Sequence, residues 1–384
     1  MGFSQNAGPL TVTTEPLWNQ YRQEFPVTKN LIYLNHAAVA PLPRRSAVAM
    51  QTWAQEALDL GSLHYERWMD TYEQVRVAAA KLIGADRSEI ALVKNTSEGI
   101  SMVAQGIDWR TGDRVVAFRE EFPSNYYPWL RLEAQGCLVD WLSAEDDLEM
   151  IELACRGARF LAISFVQYLS GFRADLKAIG EICRRNGCFF FVDAIQGLGA
   201  FPLDVEDANI DALAADGHKW LLGPEGCGVL YVRKSRQDSI APKEFGWTNV
   251  AGYADYASRD MTLRSDAGRY ECGTLNTIGC YGLRASMELL LEVGVERVAE
   301  AVTARADQLA AGAAKKGYQL LGERTAENSA GIVALQKSGV DSRKVVYELK
   351  QKGIIAAPRQ GWVRFSPHFY ISLEDIERVI EALP

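Results

Sequence analysis

The sequence predicts an α/β protein: a large domain of about seven mostly parallel strands between helices, then a smaller C-terminal α/β domain. Three observations predict it. Short apolar runs alternate with helical patterns through the middle of the chain, and several of those runs are continuous, as in strands covered on both faces. A long helical pattern at Tyr281–Glu296 then crosses into a second, smaller set of elements. At 384 residues the chain is also long enough for two domains that share one extended core.

Taken in order, residues 1–30, with Pro9, Pro16 and Pro26, predict an irregular N-terminal arm. Leu31–Leu34 predicts a short strand, followed by Asn35, His36, Ala37 and Ala38 and by a turn at Pro41 and Pro43. Helices are expected from about Ser46 and over Glu73–Ile83. The central strands are Ile90–Val93, Arg114–Phe118, Gly136–Trp141, Phe160–Phe165, Cys188–Val192, Ala212–Ala215 and Gly228–Val232. Helical patterns at Gly99–Gln105, Pro128–Glu133 and Leu176–Asn186 separate most of them. After Tyr281–Glu296, helices are expected at Ala301–Lys315, Ser342–Lys352 and Leu373–Ala382. The large domain is therefore placed at residues 31–275 and the small one at 276–384.

Composition narrows the function. An apolar fraction of 48% and a charged fraction of 23% are those of an ordinary globular protein. A net charge of −8, from 41 basic and 49 acidic residues, disfavours nucleic acid or an anionic membrane as the main partner. No apolar run approaches the roughly 18 residues that a membrane span requires, and the first twenty or so residues have no basic-then-apolar pattern of a signal peptide. Seven cysteines at irregular spacings, with no CxxC pair, point to a reduced cytoplasm. The four histidines (His36, His64, His218 and His368) show no metal-ligand spacing, so no metal site is expected.

The chemistry concentrates at two strand ends. The run Cys188–Val192 ends in Asp193, which puts a carboxylate at the tip of a buried strand. Some 26 residues later a second strand runs into Asp216, Gly217, His218 and Lys219. The carboxyl ends of parallel strands share one edge of the sheet, where ligands bind, so Asp193 and Lys219 are expected in one crevice. A lysine amine and an aspartate are the two groups that pyridoxal 5′-phosphate (PLP) chemistry most needs: the amine joins the aldehyde, and the acid keeps the pyridine nitrogen protonated. Taken alone, the same residues fit a structural ion pair equally well. At Asn95, Thr96, Ser97 and Glu98 a strand gives way to a capped helix, whose free N–H groups suit a phosphate; an ordinary cap reads the same way.

Together these motifs resemble the class V aminotransferase and cysteine desulfurase family of fold-type I PLP-dependent transferases, from Tyr33–Ala38 to Val363–His368. The resemblance implies a Schiff base on Lys219, with Asp193 at the pyridine nitrogen and Gln196 at the 3′ oxygen of the cofactor. Thr96, Ser97 and His218 would hold the phosphate, and Phe122 would stack on the ring. Arg364 would fork onto the α-carboxylate of a small amino-acid substrate, with His36 and Tyr168 at the mouth of the pocket. Arg269–Thr274 resembles the segment that crosses a homodimer interface, where Thr274 would reach the partner's phosphate.

Two departures bear on the reaction. Phe122 stands where desulfurases usually carry a histidine, and an aromatic ring stacks but moves no proton. The stretch Ala356–Val363 lacks the persulfide-forming cysteine of desulfurases, and the last cysteine of the chain is Cys280; without a thiolate no persulfide forms. Phe245–Asn249 is similar to the isopenicillin N epimerase-like branch. Asp216 stands where a hydroxyl is usual, and an acid repels a phosphate dianion, so it is left out of the expected site. The expected function is class V transamination of a small α-amino acid. The alternatives are C–S lysis of a cysteine derivative, epimerisation, or a catalytically silent binding protein on the same fold.

Overall fold

The computed structural model describes residues 15–384. Residues 1–14 of the expected arm lie outside the described residues. The strands are β1 (Ile32–Tyr33), β2 (Ile90–Val93), β3 (Arg114–Phe118), β4 (Leu138–Leu142), β5 (Phe160–Ser164), β6 (Phe189–Asp193), β7 (Ala212–Asp216), β8 (Gly228–Val232), β9 (Gln319–Leu320), β10 (Val333–Gln336), β11 (Ile354–Ile355), β12 (Ala357–Arg359) and β13 (Trp362–Phe365). The helices are α1 (Leu17–Gln20), α2 (Arg44–Leu60), α3 (Tyr65–Ile83), α4 (Thr96–Gly106), α5 (Tyr127–Leu130), α6 (Leu148–Cys155), α7 (Leu176–Asn186), α8 (Thr277–Val293), α9 (Val295–Lys315), α10 (Ser342–Gln351) and α11 (Leu373–Ala382).

The main sheet has seven strands in the order β2-β8-β7-β6-β5-β3-β4. Only β8 runs against the rest, being antiparallel to both β7 and β2. Its inner strands are apolar along their whole length because both faces are covered: every residue of β5, β6, β7 and β8 is buried. One face carries the large cluster with Leu161, Phe190 and Tyr231, the other a cluster with Phe160, Phe191 and Trp129. α4 lies close on that second face, where Gly99 is needed: a Cβ there would come within 2.8 Å of the Ala214 Cβ.

A four-stranded antiparallel sheet, β12-β13-β10-β9, forms the core of the C-terminal part with α9, α10 and α11. The long helical pattern resolves into two helices, because Gly294 turns the chain at φ 86° between α8 and α9. α8 packs against α2 and α3 of the large domain. The described part of the arm is more regular than expected. It holds α1 and two 3-10 turns, and it buries Phe25, which stacks on Tyr370 at 3.6 Å between ring centroids. β1 pairs in parallel with β11, and so ties the start of the large domain to the C-terminal part.

All seven cysteines are free. Folding nevertheless gathers three of them, Cys155, Cys183 and Cys188, with their Sγ atoms within 4.8 Å of one another in the buried layer beneath α6 and α7. No helix of the described residues is long and apolar enough to cross a membrane.

Candidate active site

The sheet order lays out the site. β2, β8, β7 and β6 are successive neighbours about 4.8 Å apart. The loop after β2 therefore brings Asn95, Thr96 and Ser97 to one flank, the turn after β7 brings Lys219 to the middle, and β6 ends in Asp193 beyond it. All of them line one cavity of about 400 Å³, with Ala37, Phe122, Ser124, Ser164, Tyr168, Gln196, Asp216, His218, Arg359 and Arg364 also in its wall.

At the phosphate-like flank, the Asn95 side chain caps α4 by accepting from the Glu98 N–H at 2.9 Å. That leaves the first N–H groups of the helix and the Thr96 and Ser97 hydroxyls at the cavity, a suitable place for an anion. Thr96 Oγ1 also accepts from the Asp216 N–H at 3.0 Å, which locks the helix start to the end of β7. Ser97 Oγ lies 2.7 Å from Ser124 Oγ. Asp216, left out of the expected site, is in the cavity wall. Its Oδ2 is 3.1 Å from His218 Nδ1, although off the line that a hydrogen bond needs.

In the turn that follows β7, the backbone doubles back behind the lysine. A Cβ on Gly217 would come within 2.7 Å of the Cys227 carbonyl, so only glycine fits. Burial lowers the Lys219 ammonium from its ordinary 10.5 to about 8, while Asp193 acts in the opposite sense. A useful share of the amine is thus unprotonated near neutral pH. Lys219 Nζ lies 5.6 Å from the centre of the Phe122 ring. Burial raises the Asp193 carboxyl to about 6, against the N–H of Ile195, which donates to its Oδ1 at 3.1 Å. Gln196 is held by both ends: Nε2 donates to the Ala37 carbonyl at 3.0 Å, and Oε1 accepts from Trp220 Nε1 at 2.9 Å.

On the opposite wall, Arg364 sits in β13 with Nη1 donating to the Tyr168 carbonyl at 2.7 Å, while its buried Nε has no partner among the described residues. Burial, with Arg359 adding to it, lowers this guanidinium to about 10. Tyr168 meets Phe122 edge to face at 5.3 Å, and its hydroxyl accepts from Gln360 Nε2 at 2.7 Å.

Two expected residues lie elsewhere. His36 does not line the mouth. It is fully buried behind the wall, where Nδ1 donates to the Ser366 carbonyl at 2.7 Å and Nε2 accepts from the Tyr370 hydroxyl at 2.6 Å. Burial drives its pKa down to about 4, so it is a neutral brace between the strand end at Leu34 and the small domain. Its chain neighbours Ala37, Ala38 and Val39 form the wall instead. Thr274 is exposed and outside this cavity, on a segment anchored by Glu271, whose carboxylate takes a two-oxygen contact from Arg76 and the Leu92 N–H. Also in the wall are Ser164, Ser124 and Arg359, with the buried Glu121 behind it, none of them expected from the sequence.

The stretch expected to lack a persulfide cysteine is a tight hairpin. Its β12 and β13 join through Gln360 and Gly361, both at positive φ (47° and 87°). None of the seven cysteines lines the cavity.

These donors fit PLP: an amine for its aldehyde, a carboxylate for its ring nitrogen, a ring face in Phe122, and a helix start for its phosphate. Three buried polar atoms in the wall, Asp216 Oδ1, His218 Nδ1 and Arg364 Nε, have no hydrogen-bond partner among the described residues and mark a pocket built for a polar guest. Fold and pocket together define a PLP-dependent enzyme of the fold-type I kind.

A family model described as "Aminotransferase class-V" matches residues 32–379, and the chain belongs to that family. The uncharacterized aminotransferase YcbU of Bacillus subtilis is 30% identical over 96% of this chain and 98% of its own. The cysteine desulfurase CsdA of Escherichia coli is 30% identical, over 95% and 96% respectively. Among solved structures, the apo cysteine desulfurase from Thermococcus onnurineus superposes with a TM-score of 0.88 at 27% identity, covering 94% of this chain and 96% of that one. PLP is the cofactor of this family, and the chain is an enzyme that uses it.

Proposed function

We propose that the enzyme transaminates a small α-amino acid with Lys219 as the proton carrier at Cα. One observation carries the reading: Lys219, Asp193 and Arg364 line one cavity, where Arg364 holds the Tyr168 carbonyl through Nη1 and keeps a buried Nε with no partner among the described residues. PLP, when bound, supplies an electron sink for the carbanion at Cα. Arg364 offers paired donors that match an α-carboxylate. Asp193 would hold the ring nitrogen in its protonated form, and a positive nitrogen there would favour the ionised carboxylate. Lys219, lowered towards neutrality, accepts the α-proton and returns it. Phe122 packs the ring and shields the amine from water. Thr96, Ser97 and His218 would bind the phosphate, and Gln196, which keeps one N–H beyond its bond to Ala37, would serve the 3′ oxygen.

C–S lysis of a cysteine derivative is the second reading, favoured by the absence of a cavity thiol in a chain related to desulfurases: β-elimination needs no persulfide cysteine. Epimerisation, the branch resembled by Phe245–Asn249, is the third. A single-turnover screen tests all three. Transamination leaves the amino group on the cofactor, releases one equivalent of keto acid, and reverses on adding a keto acid. Steady pyruvate release from cystine without an acceptor would favour the lyase instead, and loss of optical activity without a keto acid would favour the epimerase.

The working unit we propose is a homodimer, in which Thr274, exposed and outside its own cavity, completes the phosphate site of the other copy. Sedimentation of the holoenzyme as a monomer with full activity would contradict this.

A further inference from the structure

The carboxyl of Glu121 is buried, with 6% of the residue exposed, and among the described residues no cation pairs with it. Such a group is costly unless its hydrogen bonds are well satisfied. Here Oε1 accepts from the Ser164 N–H at 2.7 Å and from Gln167 Nε2 at 3.0 Å, and Oε2 accepts from the Ser164 hydroxyl. Each contact leads to a different wall of the cavity. Glu121 itself precedes Phe122, the ring-facing residue. Ser164 ends β5, lines the cavity, and stands in register with Asp193 on β6. Gln167 precedes Tyr168, whose carbonyl holds Arg364 and whose ring packs on Phe122.

We propose that Glu121 is a positioning residue that clamps the ring-facing, nitrogen-facing and carboxylate-facing walls into one unit, and so sets substrate affinity through Tyr168 and Arg364 and the charge balance beside Asp193. Burial first, and then the Asp193 charge, raise this carboxyl to about 7, while the Ser164 and Gln167 contacts pull it back; Ser164, which it holds, is the register neighbour of Asp193. The inference rests on the proposed roles of Asp193 and Arg364.

Two substitutions separate geometry from charge. In Glu121→Gln the amide oxygen still accepts from Ser164 N–H and Gln167, and the amide nitrogen donates to the Ser164 hydroxyl, so the clamp stays and the charge goes. Glu121→Ala removes both. Wild type and variants are reconstituted with PLP, and two quantities are read: KM against kcat for the amino acid found in the screen, and the pH midpoint of the visible band of bound PLP. Glu121→Ala should raise KM about tenfold, with a smaller change in kcat. Glu121→Gln should restore KM to within about threefold of wild type, yet move the midpoint to lower pH by about half a unit or more. Should Glu121→Ala fail to fold, Gln167→Leu cuts one arm of the clamp and should raise KM on its own. A wild-type KM in the arm-cutting variant, or a wild-type midpoint in Glu121→Gln, overturns the inference. Failure of wild type itself to form a visible band would instead overturn the proposed function.

Discussion

Replacing Arg364 with lysine is the sharpest test of substrate recognition, because it keeps the charge and removes the fork. In the structure Nη1 is committed to the Tyr168 carbonyl at 2.7 Å, and Nε is buried with no partner among the described residues. In the proposed role, a substrate carboxylate would satisfy the remaining donors. A lysine ammonium cannot hold Tyr168 and a carboxylate in the same planar geometry. The loss is at least one charge-assisted hydrogen bond, roughly 1.5–3 kcal/mol. At about 1.4 kcal/mol per factor of ten, kcat/KM for an α-amino acid should fall roughly tenfold to a hundredfold. The control is the amine that lacks the carboxylate: wild type and Arg364→Lys should process it equally slowly. An unchanged kcat/KM for the amino acid, or an equal fall for the amine, would refute the assignment.

Three further outcomes are expected. Lys219→Ala should fold with a Tm close to wild type, and should still take up PLP through the phosphate cradle, but should yield no borohydride-stable adduct and no turnover; mass spectrometry of the reduced protein checks this. In the apoprotein, Glu121 and Asp193 hold protons that the unfolded chain has lost, since their carboxyls lie at about 7 and about 6 against ordinary values of 4.5 and 3.8. Their contribution is fully present below about pH 4 and is lost as the pH rises through those folded values. A rise of that size for Glu121 is on the order of 3 kcal/mol. Urea unfolding should accordingly show Glu121→Gln gaining on wild type between pH 5 and pH 8, and parallel curves would contradict it. Asp193→Asn removes the acid at the ring nitrogen and should depress kcat far more than PLP uptake, as read by turnover and by absorbance titration of the apoprotein.

Much of the fold is legible because the physics that places it is local. The buried strands are continuous apolar runs, and all seven strands of the main sheet coincide with predicted ones to within two residues at either end. α6 escaped because it is only eight residues long, and its signal was an Asp147 cap before a mixed segment. The helix expected at Pro128–Glu133 divides into α5 and a 3-10 turn over Arg131–Gln135. Lys219 and Asp193 were readable because Asp193 ends β6 and Lys219 follows the end of β7 by three residues, and strand direction fixes which edge they share. His36 was misplaced because its partners, Ser366 and Tyr370, lie more than 300 residues away in sequence. Glu121 was passed over beside a noticed Phe122 for a similar reason, since Ser164 and Gln167 follow it by 43 and 46 residues. The trio of thiols also has no sequence signature, because three separate elements contribute it.

The central proposal is that PLP joins the Lys219 amine, with its ring nitrogen facing Asp193. The direct measurement is borohydride reduction of the PLP-reconstituted protein, followed by proteolysis and peptide mass spectrometry. The reduced cofactor should be found on the peptide that contains Lys219 and on no other, and pre-incubation with an amino-acid substrate should diminish the labelling. Cofactor on a different lysine, or a protein that stays colourless and unlabelled with excess PLP, would contradict it.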